Sequence, residues 1–221
     1  MYRQESGHMN SVITIGREFG SGGREIAKRL SEKYGIPYYD KDLLARAAKD
    51  SGLCEEVLQN HDEVPTSSFL YNLVMDTYSF GYNSSAYVDM PVSHRVFLAQ
   101  FDTIKKIAEE GPCIIVGRCA DYALADRDNL VTVFIAGKME VKVKRIMEKY
   151  DLTESKAREM IMKKDKQRKS YYDYYSSKKW GNVDTYDLAV NSSVLGFDGT
   201  VELISEFVDN VEQARAKGLS Q

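Results

Sequence analysis

Cysteine, histidine and proline are scarce in this chain, and no apolar run approaches the length of a membrane span. Three cysteines (Cys54, Cys113 and Cys119) and three histidines have neither the number nor the spacing of a disulfide framework or a zinc site. The expectation is therefore reduced, intracellular thiols and no metal site built by the chain itself. A membrane helix needs about 20 consecutive apolar residues, so a cytoplasmic protein without a membrane partner is expected. The opening MYRQESGHMN lacks the apolar centre of a secretion signal and reads, over residues 1–10, as a disordered tail or a cloning remnant. A large positive charge is missing too. The net charge of −3 argues against a protein built mainly to hold nucleic acid. Charge is unevenly placed, however: residues 138–179 are rich in Lys and Arg, while the segment after Tyr186 is acidic. That distribution predicts a local anion site rather than a generally basic surface.

What is present is ordinary soluble composition, with 43% hydrophobic and 29% charged residues, and a pattern of short buried strands between helices. Residues 11–221 read as one domain. Val12 to Ile15 is a buried strand, because VITI leaves no polar face. A glycine-rich turn follows, and from Arg24 the positions Ile26, Ala27, Leu30 and Tyr34 recur at helical spacing until Gly35 and Pro37 stop them. Pro37 to Asp40 is short and β-prone, and residues 41–50 return to helix. Residues 52–93 read as short helices and loops inserted outside the sheet. Residues 95–110 are helical, Cys113 to Val116 and Leu130 to Ile135 are strands, and residues 119–124 are helix or loop. Helices are expected over 140–150 and 153–170, an interruption at the tyrosine cluster 171–175, a last strand at 186–190 and a closing helix at 201–216. The sum is a three-layer α/β fold with a parallel sheet and two excursions, one near 52–93 and one near 163–182.

The chemistry concentrates in the first turn, GREFGSGGRE. Backbone N–H groups of Gly20, Ser21, Gly22 and Gly23 can share one concavity, and the helix that follows adds its positive N-terminal end, so an anion is expected there. Phosphate loops usually add a Lys for the outer phosphates and a hydroxyl for magnesium. Here Gly23 and Glu25 stand at the nearest places, leaving Ser21, Arg17 and Arg24 as candidates. Arg takes phosphate bidentately. Glu25 has two readings, a water-mediated magnesium contact or a favourable charge at the helix start.

Arg118 follows a buried strand, at the carboxyl edge where ligands bind in doubly wound folds; it is an anion ligand or a surface turn residue. Asp121 is placed to pair with Arg118 or to receive a base amino group, and Asp40 ends the second strand on the same edge. The run Lys163 to Lys169, with Asp165 inside it and four tyrosines after it, is a cationic flap over a polyphosphate, a nucleic-acid surface or a solvated helix face.

Taken in order, ITIGREFGSGGREIAKRLSEKYGIPYYDKDLL resembles the opening of cytidylate kinases. IIVGRCADYAL followed by VTVFIAG resembles their later G-R-D segment and next strand, and KKDKQRK falls where their lid carries Arg-Asp and further Arg. The spellings GREFGSGGRE, YYDK and GRCADY are closest to the cytidylate kinase-like family. The resemblance implies a P-loop nucleoside monophosphate kinase fold with a core, an insertion and a lid, using ATP and magnesium. It carries Gly20, Ser21 and Gly22 onto the phosphate loop, Arg118 onto the monophosphate contact, and Lys164 with Asp165 onto the lid's Arg-Asp. It also carries Arg168 and Lys169 onto further lid cations, Arg95 onto an Arg of the insertion and Asp40 onto the Asp ending the second strand. The departures are Gly23 for the loop Lys, Glu25 for the loop Thr and Cys119 for the Asp of G-R-D, with Asp121 two positions on. The expected activity is phosphoryl transfer from ATP to a nucleoside monophosphate, CMP or dCMP or a related metabolite, with Arg17, Arg24 and Arg168 as catalytic cations. The alternative is a nucleotide- or phosphoanion-binding regulatory protein with impaired catalysis, and RNA binding ranks third.

Overall fold

A computed structural model describes residues 9–64 and 90–218. Five strands, β1 (Val12–Arg17), β2 (Tyr38–Tyr39), β3 (Cys113–Val116), β4 (Leu130–Ala136) and β5 (Leu188–Asn191), form a sheet in the order β2-β3-β1-β4-β5. Every pairing is parallel, with Ile13 beside both Ile114 and Val131. Parallel strands are buried on both faces, which is why β1, β3 and β4 are runs of aliphatic residues rather than alternating ones.

The period of two within β1 sorts the layers. Ile13 and Ile15 pack with Ile26, Ala27 and Leu30 of α1 (Gly23–Tyr34) and with Ile204 and Val208 of the closing helix. Val12 packs on the opposite face with Leu43 of α2 (Asp42–Ser51) and with Ile104 and Ile107 of α4 (Val92–Glu110). Two helical layers thus enclose the sheet, as the resemblance implies. The chain order places α3 (Glu55–Asn60) before α4 and the one-turn α5 (Ala120–Ala123) after β3. Between β4 and β5 run α6 (Met139–Tyr150), α7 (Glu154–Tyr175) and a 3-10 turn at Val183–Thr185.

The last strand starts two residues later than expected and α4 three residues earlier, and three further differences from the sequence reading bear on the site. First, β1 continues through Gly16 to Arg17, so Arg17 ends a strand instead of opening a loop. Second, α7 does not break at the tyrosines. Tyr171, Tyr172 and Tyr175 are buried, with Tyr175 stacked on Phe97 of α4 at 3.9 Å and the Tyr171 hydroxyl donating to Gln100 Oε1; this packing outweighs the weak helix propensity of tyrosine. Third, the closing helix α8 (Ser192–Ala216) begins nine residues before the expected Val201 and bends at Gly196, where φ is +68°. Asn191 caps it by accepting from the Ser193 N–H, while the glycines at 196 and 199 hide the helical signal. Most of the expected insertion, residues 65–89, and the tail residues 1–8 lie outside the described residues. Among the described residues no helix is long and apolar enough to cross a membrane.

Candidate active site

In the turn from β1 into α1 the Ser21 N–H donates to the Glu18 carbonyl at 3.3 Å, so it does not join the expected anion concavity, which is left to the helix start. Gly20 and Gly22 take φ values of +83° and +88°, conformations that other residues enter only with strain. At Gly22 a Cβ would also meet the Phe197 ring at 2.2 Å. The first intrahelical bond of α1 runs from the Ile26 N–H to the Gly22 carbonyl. The N–H groups of Gly22, Gly23, Arg24 and Glu25 are thus the four that a helix start leaves without intrahelical partners. The loop's carbonyl side is fastened from behind: the Arg145 guanidinium donates to the carbonyls of Gly20 and Ser21, and the Ser192 hydroxyl donates to the Ser21 carbonyl. The Phe19 N–H donates to Asp165 at 2.6 Å. Ser21 is fully buried and its hydroxyl donates to the Glu18 carbonyl, so it does not serve as the hydroxyl facing the cleft.

In front of these amides lies a cleft of ≈ 370 Å³. Its cations are Arg17, Arg24, Arg145, Lys149 and Arg168, and its carboxylates are Glu18, Glu25 and Asp40. Arg24 is half exposed and pairs with Asp40. Glu25 pairs with Arg29 one turn on, at 2.7 Å. Phe197 lies under the Arg145 guanidinium at 4.5 Å.

A second, smaller chamber of ≈ 20 Å³ is lined by Thr14, Gly117, Arg118, Asp121, Tyr172 and Tyr186 among others. That is room for about one water. The Thr14 hydroxyl there is buried with no hydrogen-bond partner among the described residues. Gly117, Arg118 and Cys119 all have positive φ, 76°, 58° and 54°, and this left-handed turn carries Arg118 back under the strand edge, where its side chain is 1% exposed. Arg118 donates through Nε and Nη2 to the two Asp62 oxygens, both at 2.9 Å, and through Nη1 to Asp40 and the Val116 carbonyl. Arg17 is bidentate on Glu63 at 2.6 and 3.2 Å. Arg168 donates to Glu63 at 3.1 Å and to the Arg17 carbonyl. Arg17 and Arg168 line both the cleft and the chamber.

The electrostatics follow from this pairing. Burial alone would raise the Glu63 carboxyl, but the neighbouring Arg17 and Arg168 outweigh it and hold the group well below the usual carboxylate range. Asp40 is likewise held low, burial being overcome by Arg118, Arg17 and Arg24. At Asp121 the nearby Lys178 only partly offsets burial. Burial pushes this carboxyl up despite the bond from the Tyr172 hydroxyl.

The structure therefore gathers Arg17, Gly20, Gly22, Gly23, Arg24, Glu25, Asp40, Arg118 and Arg168 along one sheet edge. It does not gather all of the expected residues. Asp121 accepts from Tyr172 instead of pairing with Arg118. Asp165 faces the back of the loop, where it takes the Phe19 N–H and the buried Lys142, itself shared with Glu18; burial pushes its carboxyl up. Lys164 is exposed on α7, and neither it nor Arg95, in the first turn of α4, lines the cleft or the chamber. Sequence reasoning passed over Asp62, Glu63, Arg145, Lys149 and Phe197. Arg145 and Lys149 stand four apart on α6 inside the basic stretch, a spacing that puts them on one helix face. Asp62, Glu63 and Phe197 sit in segments with no periodic signal.

A profile of the cytidylate kinase-like family matches residues 12–194. Cytidylate kinase from Pyrococcus horikoshii is 23% identical over 203 residues, covering 91% of this chain and 90% of that protein. Cytidylate kinase from Methanocaldococcus jannaschii is 24% identical over 207 residues, covering 91% and 99%. The crystal structure of an uncharacterised protein from Eubacterium ventriosum superposes with a TM-score of 0.67 at 33% identity, covering 90% of this chain and 98% of that one.

Proposed function

The chain belongs to the cytidylate kinase-like family, and on that premise we propose that it transfers the γ-phosphoryl group of ATP to a nucleoside monophosphate, CMP or dCMP or a related phosphorylated metabolite. The observation that carries this reading is that Arg17 and Arg168 line both the loop cleft and the chamber around Arg118. Donor phosphates on the loop and an acceptor phosphate near Arg118 then share two cations between them.

The cleft residues fit the donor. Four helix-start amides and five cations face a volume within the range of small-molecule sites. Among the described residues there is no cluster of metal-ligating side chains, which fits a magnesium ion held chiefly by phosphate oxygens and water, with Asp40 and Glu25 as the cleft carboxylates that would hold its waters. Bound magnesium supplies neutralisation across the phosphates. The chain's own part is positioning and charge: loop amides cradle the outer phosphates, Arg24 takes the place of the missing loop Lys, Arg17 and Arg168 face the group in transfer, and Arg118 holds the acceptor. No general base is required.

Binding without transfer is the second reading, favoured by one observation: Arg17, Arg24, Arg118 and Arg168 are each paired with a carboxylate of the chain. A coupled assay with ATP, magnesium and a panel of nucleoside monophosphates separates the two. Turnover with a cytidine monophosphate is expected, and nucleotide binding with no turnover on any acceptor would select the second reading.

A further inference from the structure

The acceptor side of the site already contains anions, and they belong to the protein. Asp62 grips Arg118 through both oxygens at 2.9 Å. Glu63 spans two guanidinium groups, Arg17 at 2.6 Å and Arg168 at 3.1 Å. These two carboxylates come from the short turn after α3, far in sequence from the arginines, which lie at the end of β1, just after β3 and on α7. Carboxylate and phosphate present the same paired oxygens to a guanidinium fork, so they compete for one geometry.

We propose that Asp62 and Glu63 are specificity-determining residues of the acceptor site: they hold the places of the acceptor's phosphate oxygens on Arg118, Arg17 and Arg168, and a ligand enters by exchanging for them. The proposal rests on the acceptor-phosphate reading above and narrows it. A phosphomonoester dianion carries two charges, engages more than one guanidinium at once and offsets the loss of the two internal carboxylates. A neutral hydroxyl compound replaces neither carboxylate charge and a monoanion replaces only one of the two, so neither offsets the loss. The site thereby selects phosphorylated acceptors by charge and by number of oxygens, before any recognition of a base. Alternation of charge around the network, Arg24 to Asp40 to Arg118 to Asp62, and Arg17 to Glu63 to Arg168, keeps the arginines aimed while no acceptor is held.

The test uses inorganic phosphate as probe, with cytidine as the neutral control, on the full chain and on D62N and E63Q. Binding is read by calorimetry, and its location by the guanidinium Nε–Hε resonances of Arg118 and Arg168. Removing a charge-assisted internal competitor is expected to tighten phosphate binding at least about tenfold in each variant, with the Arg118 or Arg168 signal moving on titration and cytidine affinity unchanged. Phosphate affinity equal to or below that of the unaltered chain in both variants, or a gain that moves neither signal, overturns the proposal. Asp62 is the more exposed of the two carboxylates, 22% against 11%, so D62N decides the matter if E63Q does not fold. Tighter phosphate binding in the variants of a protein that turns over no monophosphate would leave the exchange standing and remove the acceptor reading. Turnover of CMP with no tightening would do the reverse.

Discussion

The two ends of the site solve opposite problems with the same material. On the side proposed for the donor, helix-start amides and a half-exposed Arg24 face an open cleft, and the loop's carbonyls are drawn backward by Arg145 and Ser192. On the side proposed for the acceptor, Arg118 and Arg17 are buried and each is bound by a carboxylate. The first region is preorganised through backbone, which cannot neutralise itself; the second through side chains, which can. Backbone cradles tolerate loss of a charged residue better than side-chain clusters tolerate loss of a partner, and that asymmetry can be tested.

The largest expected effect lies on the acceptor side. Arg118→Ala leaves Asp62 and Asp40 near each other without their shared cation, and breaking a buried pair in this way costs about 3–5 kcal/mol. Urea denaturation should show a loss of that size, and a loss below about 1 kcal/mol would mean that water already screens the cluster. Next come the cations proposed for the missing loop Lys. Removing a preorganised stabilising contact costs about 3 kcal/mol in the transition state, so Arg24→Ala should lower kcat/KM about a hundredfold with little change in melting temperature. Arg17→Ala should lower both. Equal activity of Arg24→Ala and the unaltered chain would move the role to Arg17.

Smaller is the effect at the backbone. Gly22→Ala meets a left-handed φ and the Phe197 ring, and should cost about 1–2 kcal/mol, read as weaker binding of a non-hydrolysable ATP analogue. The pH dependence comes next. Glu63 and Asp40 are depressed in the folded protein, so their contribution is fully present above the unfolded carboxylate values of about 4 and is lost as pH falls through the folded ones. Denaturation midpoints should therefore begin to drop below about pH 5 and keep dropping past the usual carboxylate range, because the folded Glu63 value lies well below it, and Glu63→Gln should flatten part of that drop. Smallest of all is Lys164→Ala. Its side chain is exposed, and activity within about twofold of the unaltered chain is expected, since exposed surface changes rarely exceed about 0.5 kcal/mol.

Much of the donor side was readable in the chain. VITI, the glycines of GREFGSGGRE and the periodicity of REIAKRLSEKY are local patterns, and local patterns are what fix a strand, a turn and a helix in succession. Arg118 was readable for a related reason, since it follows a buried strand and strand ends share an edge. The tyrosines of α7 were misread because their fate depends on Phe97 and Gln100, which are distant in sequence. Asp165 was placed on the substrate side from its position in the basic run, whereas the helix face it occupies turns it toward Lys142 and the Phe19 N–H.

By itself, the sequence determined the buried strand runs, the place of the glycine-rich turn and the absence of a Lys in it, because each depends on neighbours within a few residues. Only the tertiary structure decided that Asp62 and Glu63 meet Arg118, Arg17 and Arg168, and that Arg145 and Phe197 back the loop. A carboxylate in an irregular segment carries no periodic signal of its partner. The pair exists because folding buries both charges together, and a buried charge needs a partner wherever the chain can supply one.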